Sequence, residues 1–340
     1  NLLEEILLAD PTGSAEFAPG GRPLAEGDTF RSPALGEVIE RLAAEGAEPF
    51  YRGDIAERVV AFLEERGGSL TRADLAGYRA IDRRPVRATY RGRTVVTNPP
   101  PNAGGILIAL ALNLLDRADG PPSIEQIVDV MEQVQAERTP EFVDALADPG
   151  FQETFCASRL GSTTHISTVD GDGLACSVTC TNGEGCGLVV PGTGIHVNNI
   201  MGEEDLSPHG FHTAPPGRRM PSMMAPAAVL GSDGTPELVL GSAGSNRIRS
   251  AILQTIVGLV DHGLTITEAV EAPRAHFEAG TVYTEPGVPV DGLRAAGRQV
   301  VEFRDRNLFF GGVQAVQRDP VSGGLRGAGD PRRGGAVSVA

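Results

Sequence analysis

The spacing of apolar residues predicts helices through the first part of the chain. Segments 32–46 and 53–68 each carry apolar residues along one helical face and end at a glycine, which is common just past a helix C-terminus. Segment 102–116 is an almost continuous apolar run that begins at a Gly pair. Segment 123–138 opens with the Ser-x-x-Gln pattern of a capping box and keeps helical spacing. We therefore expect residues 1–90 to be mainly helical and two further helices to follow.

Strand-like patterns dominate later. Segment 84–101 predicts two short strands that are closed by prolines, and short β-type segments alternate with glycine-rich turns from about 163 to 245. Segment 246–263 predicts a strong helix, and 309–335 predicts a β-hairpin with a loop. This order of helices, strands, a helix and strands indicates an α+β layered domain.

Composition narrows the class of protein. A chain of 340 residues, with 41% hydrophobic and 21% charged residues, is typical of one large or two ordinary globular domains. The net charge of −15 argues against nucleic acid as a partner, although acidity also serves solubility alone. No apolar run approaches the roughly 20 residues of a membrane-spanning helix, so no membrane span is expected.

The first ten residues, NLLEEILLAD, carry acids inside their apolar run and lack the basic start of a signal peptide. They also lack a starting Met, so we expect an upstream part of the protein to be missing from this chain. Because no export signal is visible, the sequence favours the cytoplasm over export.

The cysteines are Cys156, Cys176, Cys180 and Cys186, and they form no CxxC pair. A disulfide framework is atypical at this size and density. The spacing of the last three fits no standard zinc pattern. We therefore expect buried small apolar residues, and no metal or cofactor.

Residues 163–181 predict a β-hairpin around the turn sequence DGDG. Residues on one face of a strand meet partners on the same face, so the apolar residues select the register. A five-residue connection, or a four-residue loop with a bulge, gives one apolar face and one face of hydroxyls. The resulting pairs are Val169 with Ala175, Ser167 with Ser177, Ile166 with Val178, His165 with Thr179, and Thr163 with Thr181.

A row of hydroxyls has two explanations. Threonines are good strand formers and can simply face solvent. Alternatively, Thr163 is a nucleophile, which needs a base within hydrogen-bond reach. A cut before Thr163 would free its α-amine, whose pKa near ~8 suits that base. Gly161 and Ser162 would make the preceding peptide bond accessible. His165, two residues away on the same face, fits a structural or orienting role better than a second base.

Several motifs in a fixed order resemble the γ-glutamyltranspeptidase family, from about residue 28 to the last residue. They are NPPPNAGGILIALALNLL, TTHISTVDGDGLACSVT, GTGIHVNNIM, RRMPSMMAP, GSAGSNRIRSAILQTIV and EAPRAHFE. The resemblance implies the four-layer αββα sandwich of N-terminal nucleophile hydrolases. It also implies a precursor that cleaves itself, so that 1–162 is the C-terminal part of the large-subunit region and 163–340 is the small-subunit region, together one domain.

The same resemblance assigns the catalytic residues. Thr163 becomes the nucleophile, released by cleavage after Ser162, and Thr181 corresponds to the threonine that supports it. The family's GSPGGSR loop reads GSAGSNR here, so Gly244 matches the first oxyanion donor and Ser245 replaces the second glycine. Without the family, this loop would be interpreted as a glycine turn into a helix, whose N-terminus also favours negative charge.

The substrate pocket matches only in part. The resemblance implies that Ser222, Asn182 and Glu203 contact the substrate, and Asn199 is expected to bridge loops beside them. Met223 stands where the family has a second serine, and Ile200 stands where a Gln or Glu accepts the substrate ammonium group. The family's carboxylate-binding arginine would lie upstream of Asn1. Losing a paired polar group costs ~1–3 kcal/mol, which affects specificity.

We therefore expect an enzyme that cleaves γ-glutamyl amides and passes the acyl group to water or an amino acid. The alternatives are an acylase for another acyl amide, such as a glutaryl compound or a natural-product intermediate, and an inactive scaffold member. The expected partners are a small-molecule substrate and the two subunits of one precursor. Arg247 and Arg249 open a helix, where cations are unfavourable, which indicates a buried ion pair or a substrate contact, with simple placement on the surface as the alternative.

Overall fold

The computed structural model describes residues 4–25, 27–137, 139, 142, 146, 164–203, 206 and 210–339. The chain divides into two compact units. The first unit comprises residues 1–82 and 182–200, and the second comprises residues 83–181 and 201–340.

The α-helices of the described ranges confirm the predicted helical segments. They are α1 (Glu4–Leu7), α2 (Pro11–Phe17), α3 (Pro33–Glu45), α4 (Glu48–Tyr51), α5 (Asp54–Glu64), α6 (Arg72–Gly77), α7 (Ala103–Leu115), α8 (Ile124–Ala136), α9 (Arg247–Val260), α10 (Ile266–Glu271) and α11 (Asp291–Ala295). The predicted capping box of α8 is present, because the Ser123 side chain accepts from Gln126 N and the Gln126 side chain accepts from Ser123 N.

The strands of the same ranges are β1 (Val86–Tyr90), β2 (Arg93–Thr97), β3 (Thr164–Val169), β4 (Ala175–Cys180), β5 (Val189–Val190), β6 (Ile195–His196), β7 (Ala227–Leu230), β8 (Pro236–Ala243), β9 (Ala275–Glu278), β10 (Thr281–Thr284), β11 (Gln299–Glu302), β12 (Gly312–Arg318) and β13 (Leu325–Gly329). The two short strands predicted within 84–101 are β1 and β2, which pair antiparallel, and the hairpin predicted at 309–335 is the antiparallel pair β12–β13.

The first unit is a helical cluster with a small antiparallel ribbon, β5–β6. Its core joins α3 and α5 to β5 through Val38, Ile55, Val59, Phe62 and Val190, which are all buried. The apolar residues of α3 and α5 recur at helical spacing, so each helix can bury one face and leave its charged face in water.

The second unit is built on a six-stranded sheet in the order β1-β2-β7-β8-β12-β13, in which every neighbouring pair is antiparallel. Helix α7 packs against β1, against α8 and against α9, which in turn packs against β8. Being enclosed by these neighbours, α7 buries ten of its thirteen residues. This burial explains why its sequence is an almost continuous apolar run rather than an amphipathic one.

The hairpin β3–β4 packs against β8 and β12 of the large sheet. A Cβ on Gly241 of β8 would meet the His165 ring of β3, so Gly241 faces the hairpin. Strand residues alternate between faces, so Ser242 faces the other way, toward α9. The unit is therefore layered as helices, large sheet and second sheet, which confirms the predicted α+β class. A further sheet, β11-β10-β9, adjoins α8 through β9.

Candidate functional site

The β3–β4 hairpin has the predicted register. His165 pairs with Thr179, Ile166 with Val178, and Ser167 with Ser177, and a five-residue connection, 170–174, joins the strands. Thr163 lies outside the described residues, so its pairing with Thr181 stays a prediction. Thr181 follows the last residue of β4 and is half-buried.

The hydroxyl face of this hairpin points inward, so the interpretation that it simply faces solvent is wrong. Ser177 Oγ donates to the Leu240 carbonyl of β8 at 3.1 Å, and Ser167 Oγ donates to the Gln314 carbonyl of β12 at 3.1 Å. These hydroxyls supply hydrogen bonds where a hairpin lies across the face of another sheet. The row therefore fixes the position of β3, the strand that begins one residue after Thr163.

The apolar face of the hairpin points outward instead. Ile166 and Val178 are 55% and 45% exposed, and Cys176 and Cys180 lie beside them on the same exposed face. The expectation of buried cysteines is therefore wrong for these two, because β4 turns its hydroxyl side toward the large sheet. Cys186 is half-buried and, like them, is a free thiol, while Cys156 lies outside the described residues.

His165 is the buried centre of the hydroxyl row, only 5% exposed. Its Nδ1 lies 2.8 Å from Thr179 Oγ1 and its Nε2 lies 2.8 Å from Ser167 Oγ. Because the Ser167 proton is directed to a backbone carbonyl, Nε2 must donate and Nδ1 must accept from Thr179. Burial lowers the pKa of His165 to about 4. A neutral, fully bonded ring supports an orienting role for His165.

The predicted oxyanion turn, Gly244–Ser245, joins β8 to α9. Gly244 has φ 126° and Ser245 has φ 54°, so Ser245 keeps the left-handed conformation that glycine adopts most readily. The Gly244 and Ser245 carbonyls accept from Arg247 N and Ile248 N, at 2.9 and 3.2 Å. The candidate oxyanion donors are the backbone N–H groups of Gly244 and Ser245, which lie between the end of β8 and the start of α9.

A cavity of about 580 Å³ lies in the second unit between β3, β12, β13 and the C-terminal segment 332–338. Thr164, the residue after the predicted nucleophile, and Ala243, the residue before the predicted oxyanion turn, both line it. Leu308 and Arg333 also line it, and Arg333 Nη2 donates to the Leu308 carbonyl at 3.0 Å.

A buried charge network supports this wall of the cavity, and the sequence, which predicts only a hairpin with a loop at 309–335, does not reveal it. Arg274 donates to Asp330 at 2.7 Å, and Arg332 lies within 3.1 Å of Asp330 and 2.5 Å of Glu285. Asp330 also accepts from Val313 N at 2.9 Å. Since all four side chains are buried, the network ties the C-terminal segment to β12 and to the loop before β9.

Ser222 lies beside the start of α7. Its Oγ donates to Asn102 Oδ1 at 2.6 Å, and its carbonyl accepts from Ala103 N at 2.8 Å. A Cβ on Gly104 would lie 2.1 Å from the Met223 carbonyl, so this glycine permits the close approach. Met223 itself is fully buried.

Asn182 and Asn199 meet in the first unit. Asn199 N donates to the Asn182 carbonyl at 3.2 Å, and Asn199 Nδ2 donates to Glu184 Oε2 at 3.0 Å. Asn182 Nδ2 donates to the His196 carbonyl at 3.1 Å. Asn199 thus bridges two loop segments, as expected. Glu203 belongs to the second unit and is half-buried.

Arg247 takes part in the partly buried ion pair predicted for the helix start, 3.6 Å from Glu278, and lies over the Phe309 ring at 4.0 Å. Arg249 is buried and donates to Gln135 at 3.0 Å. Within the described ranges, no group of three His, Cys, Asp or Glu side chains could hold a metal ion. No helix there is long and apolar enough to cross a membrane.

Comparison with known proteins places this geometry in a family. The family model for gamma-glutamyltranspeptidase matches residues 2–158 and 146–340. The chain is 32% identical to the glutathione hydrolase proenzyme of Escherichia coli (strain K12), covering 96% of this chain and 65% of that protein. It is 31% identical to the acylase ACY 1 proenzyme of Pseudomonas sp. (strain SE83), covering 95% and 63%. The chain thus spans just under two thirds of the length of these relatives.

Among solved structures, the cephalosporin acylase from Bacillus halodurans is similar with a TM-score of 0.79 and 29% identity, covering 97% of this chain and 67% of that one. This similarity extends across both units and confirms the predicted αββα architecture. With the family model matching nearly the whole sequence, the chain belongs to the gamma-glutamyltranspeptidase family.

Proposed function

We propose that this protein is a self-cleaving acyl-transfer enzyme of the γ-glutamyltranspeptidase type. Cleavage between Ser162 and Thr163 would divide it into a large-subunit region that ends at residue 162 and a small-subunit region of residues 163–340. The relatives named as proenzymes are consistent with a precursor that is cut into subunits.

One observation carries the proposal. The residue after Thr163 and the residue before Gly244 line one cavity of about 580 Å³. The hydroxyl row locks β3 onto the large sheet, so the start of β3 has a fixed position beside that cavity. A nucleophile and an oxyanion site must both reach one reacting carbonyl, and a shared cavity meets this requirement.

The proposed chemistry uses no cofactor. The Thr163 hydroxyl attacks the acyl carbonyl while its proton passes to the Thr163 α-amine. Backbone N–H groups of Gly244 and Ser245 hold the oxyanion of the tetrahedral intermediate. The ammonium then gives its proton to the departing amine, which leaves an ester on Thr163. Water or an amino acid attacks this ester and releases Thr163, with Thr181 supporting the hydroxyl throughout.

Asn182, Asn199, Glu203 and Ser222 are proposed to contact the substrate. Glu203 would pair with the ammonium group of a γ-glutamyl substrate, since a carboxylate forms strong charge-assisted hydrogen bonds with such a group. Ser222 would donate to the substrate carboxylate by turning toward it the hydroxyl proton that Asn102 Oδ1 otherwise accepts.

A second candidate substrate class is an acyl amide without the γ-glutamyl ammonium group, such as a glutaryl compound. Ile200 cannot accept a hydrogen bond from an ammonium, and Met223 offers no hydroxyl to a carboxylate. The relatives named acylase point in the same direction.

Turnover of γ-glutamyl-p-nitroanilide and glutaryl-p-nitroanilide, measured side by side, tests both candidates. The main proposal expects γ-glutamyl-p-nitroanilide to be cleaved faster, with release abolished in Thr163→Ala. Faster cleavage of the glutaryl compound would select the second candidate. Cleavage of neither, together with no covalent labelling of Thr163 by a glutamine-like electrophile, would instead indicate an inactive scaffold.

A further inference from the structure

Glu278 is the last residue of β9 and lies beside the helix that follows the Gly244–Ser245 turn. Asn246 Nδ2 donates to Glu278 Oε1. The Arg247 guanidinium lies 3.6 Å from Glu278 Oε2, and His276 Nε2 lies 3.6 Å from the same oxygen. The Glu278 side chain is only 25% exposed. Its carboxylate therefore contacts the two residues that directly follow the turn.

The turn that these contacts reach is conformationally costly. Ser245 has φ 54°, a left-handed conformation that costs a non-glycine residue roughly 1–2 kcal/mol. A conformation of this kind persists only where the surroundings determine it. The contacts that Asn246 and Arg247 make with Glu278 can restrict the turn from the side of α9.

The opposite side of the turn is constrained by packing. A Cβ on Gly244 would lie 2.5 Å from Gly311 Cα, so the backbone at Gly311 lies directly against the turn. Arg247 lies over the Phe309 ring, 4.0 Å from its centroid, and so links this loop to Glu278. Residues on both sides thus restrict the conformation of the turn. Among these residues, Glu278 carries the negative charge.

A separate catalytic role for Glu278 does not fit the geometry. Ser250 Oγ lies 2.7 Å from His276 Nδ1, so Ser250, His276 and Glu278 follow one another in the order of a Ser-His-acid catalytic triad. However, 3.6 Å between His276 Nε2 and Glu278 is too long for a hydrogen bond. The cavity beside Ser250 holds only about 20 Å³, and both Ser250 and His276 are buried. A substrate has no room there.

The charge state of Glu278 suits a constraining role. Burial alone would raise its pKa, but the Arg247 guanidinium and the Asn246 amide favour the charged form and hold the pKa of Glu278 below its ordinary value. The carboxylate is therefore ionised across the working range and accepts from Asn246 and attracts Arg247 throughout.

We propose that Glu278 is a positioning residue for the oxyanion turn, acting through Asn246 and Arg247 to keep Ser245 in its left-handed conformation. This inference rests on the proposed function, because the value of the turn lies in the backbone donors of Gly244 and Ser245.

The activity test compares kcat and KM for the better of the two p-nitroanilides. Removing one oxyanion donor typically costs 10²–10³ in kcat. We expect Glu278→Ala to lower kcat about tenfold to a hundredfold with KM changed less than about twofold. Glu278→Gln, which keeps an acceptor for Asn246, should lose less. The control is Glu237→Ala, which removes another partly buried glutamate from an ion pair with Arg93, and it should change kcat less than about twofold.

A second-site change separates positioning from general damage. Glycine adopts the left-handed conformation without steric cost. Adding Ser245→Gly to Glu278→Ala should therefore restore most of the lost kcat. A Glu278→Ala enzyme with wild-type kcat would overturn the inference. So would a loss that the glycine does not restore although Ser245→Gly alone is active.

Crystal structures of the wild-type and Glu278→Ala proteins test the inference independently of activity. We expect Ser245 to leave positive φ in the variant and to keep it in the wild type. If Ser245 keeps its left-handed conformation without the carboxylate, the inference fails even where neither amide is cleaved. A wild-type protein that cleaves neither amide counts against the proposed function alone, and the structures then decide the inference.

Discussion

The buried His165 ring makes the stability of the second unit depend on pH. The ring is held by Thr179 and Ser167 in its neutral form, and burial lowers its pKa from 6.5 to about 4. Between these values the unfolded chain binds a proton that the folded chain does not. The free energy of unfolding must therefore fall as the pH falls from 7 toward 4.

The size of this effect follows from the two pKa values. Each pH unit between them changes the free energy of unfolding by up to ~1.4 kcal/mol. From pH 7 to pH 5, His165 should thus lower the stability by ~2 kcal/mol. His276 is fully buried and burial lowers its pKa to about 4 as well, so it adds a similar amount. Carboxylates contribute mainly below this range, because their ordinary pKa values are near 4.

Urea unfolding at pH 7, 6 and 5 measures this dependence. From pH 7 to 5 the wild-type protein should lose ~2 kcal/mol more than His165→Gln does, whatever the stability of the variant at pH 7. The control His262→Gln changes an exposed histidine and should keep the wild-type dependence. If His165→Gln and the wild type lose stability equally, His165 is not held neutral and the described packing of the hairpin is wrong.

The other predictions concern packing and charge. Gly241→Ala should destabilise the protein by ~1–3 kcal/mol in urea unfolding, because its Cβ would meet the histidine ring of β3, whereas Gly171→Ala, with open space around it, should change stability by less than ~0.5 kcal/mol. Arg332→Ala should cost ~3–5 kcal/mol because it removes the buried cation that pairs with Glu285. Arg294→Ala, at an exposed ion pair, should cost at most ~1 kcal/mol, and equal costs would contradict the buried network. Ser245→Gly alone should raise the melting temperature, since it removes a left-handed serine, and a lower melting temperature would contradict the assigned φ.

The sequence predicted the hairpin register because its periodicity is strict. A slip of one residue would have set hydroxyls against apolar side chains along the whole ladder, so only one register satisfied Ile166 with Val178 and Ser167 with Ser177. The long helices α7 and α9 were predictable for a similar reason, since each buries a long apolar surface.

The hydrophobicity of its residues did not predict which face of the β3–β4 hairpin packs against the large sheet. The usual rule would bury Ile166 and Val178, yet these are exposed and His165 is buried. The hydroxyl face is inward because the carbonyls of Leu240 and Gln314 accept its protons, and these partners are more than 60 residues away in sequence. A pattern within one segment cannot reveal acceptors on another.

The candidate site divides in the same way. Motif order identified Gly244 and Ser245, and the structure places them in the turn between β8 and α9. The residues around that turn, such as Glu278 and Gly311, come from separate segments and carry no local signal. Arg274 and Arg332 were missed because an arginine is normally exposed, and only the buried carboxylates around them explain their position.

The central claim is that the peptide bond between Ser162 and Thr163 breaks and frees the amine that activates Thr163. The intact mass of the denatured native protein tests this directly. We expect two chains whose masses sum to the precursor plus one water, with the second chain beginning at Thr163, and a single uncut chain for Thr163→Ala. A single uncut chain in a wild-type protein that turns over either amide would contradict the account.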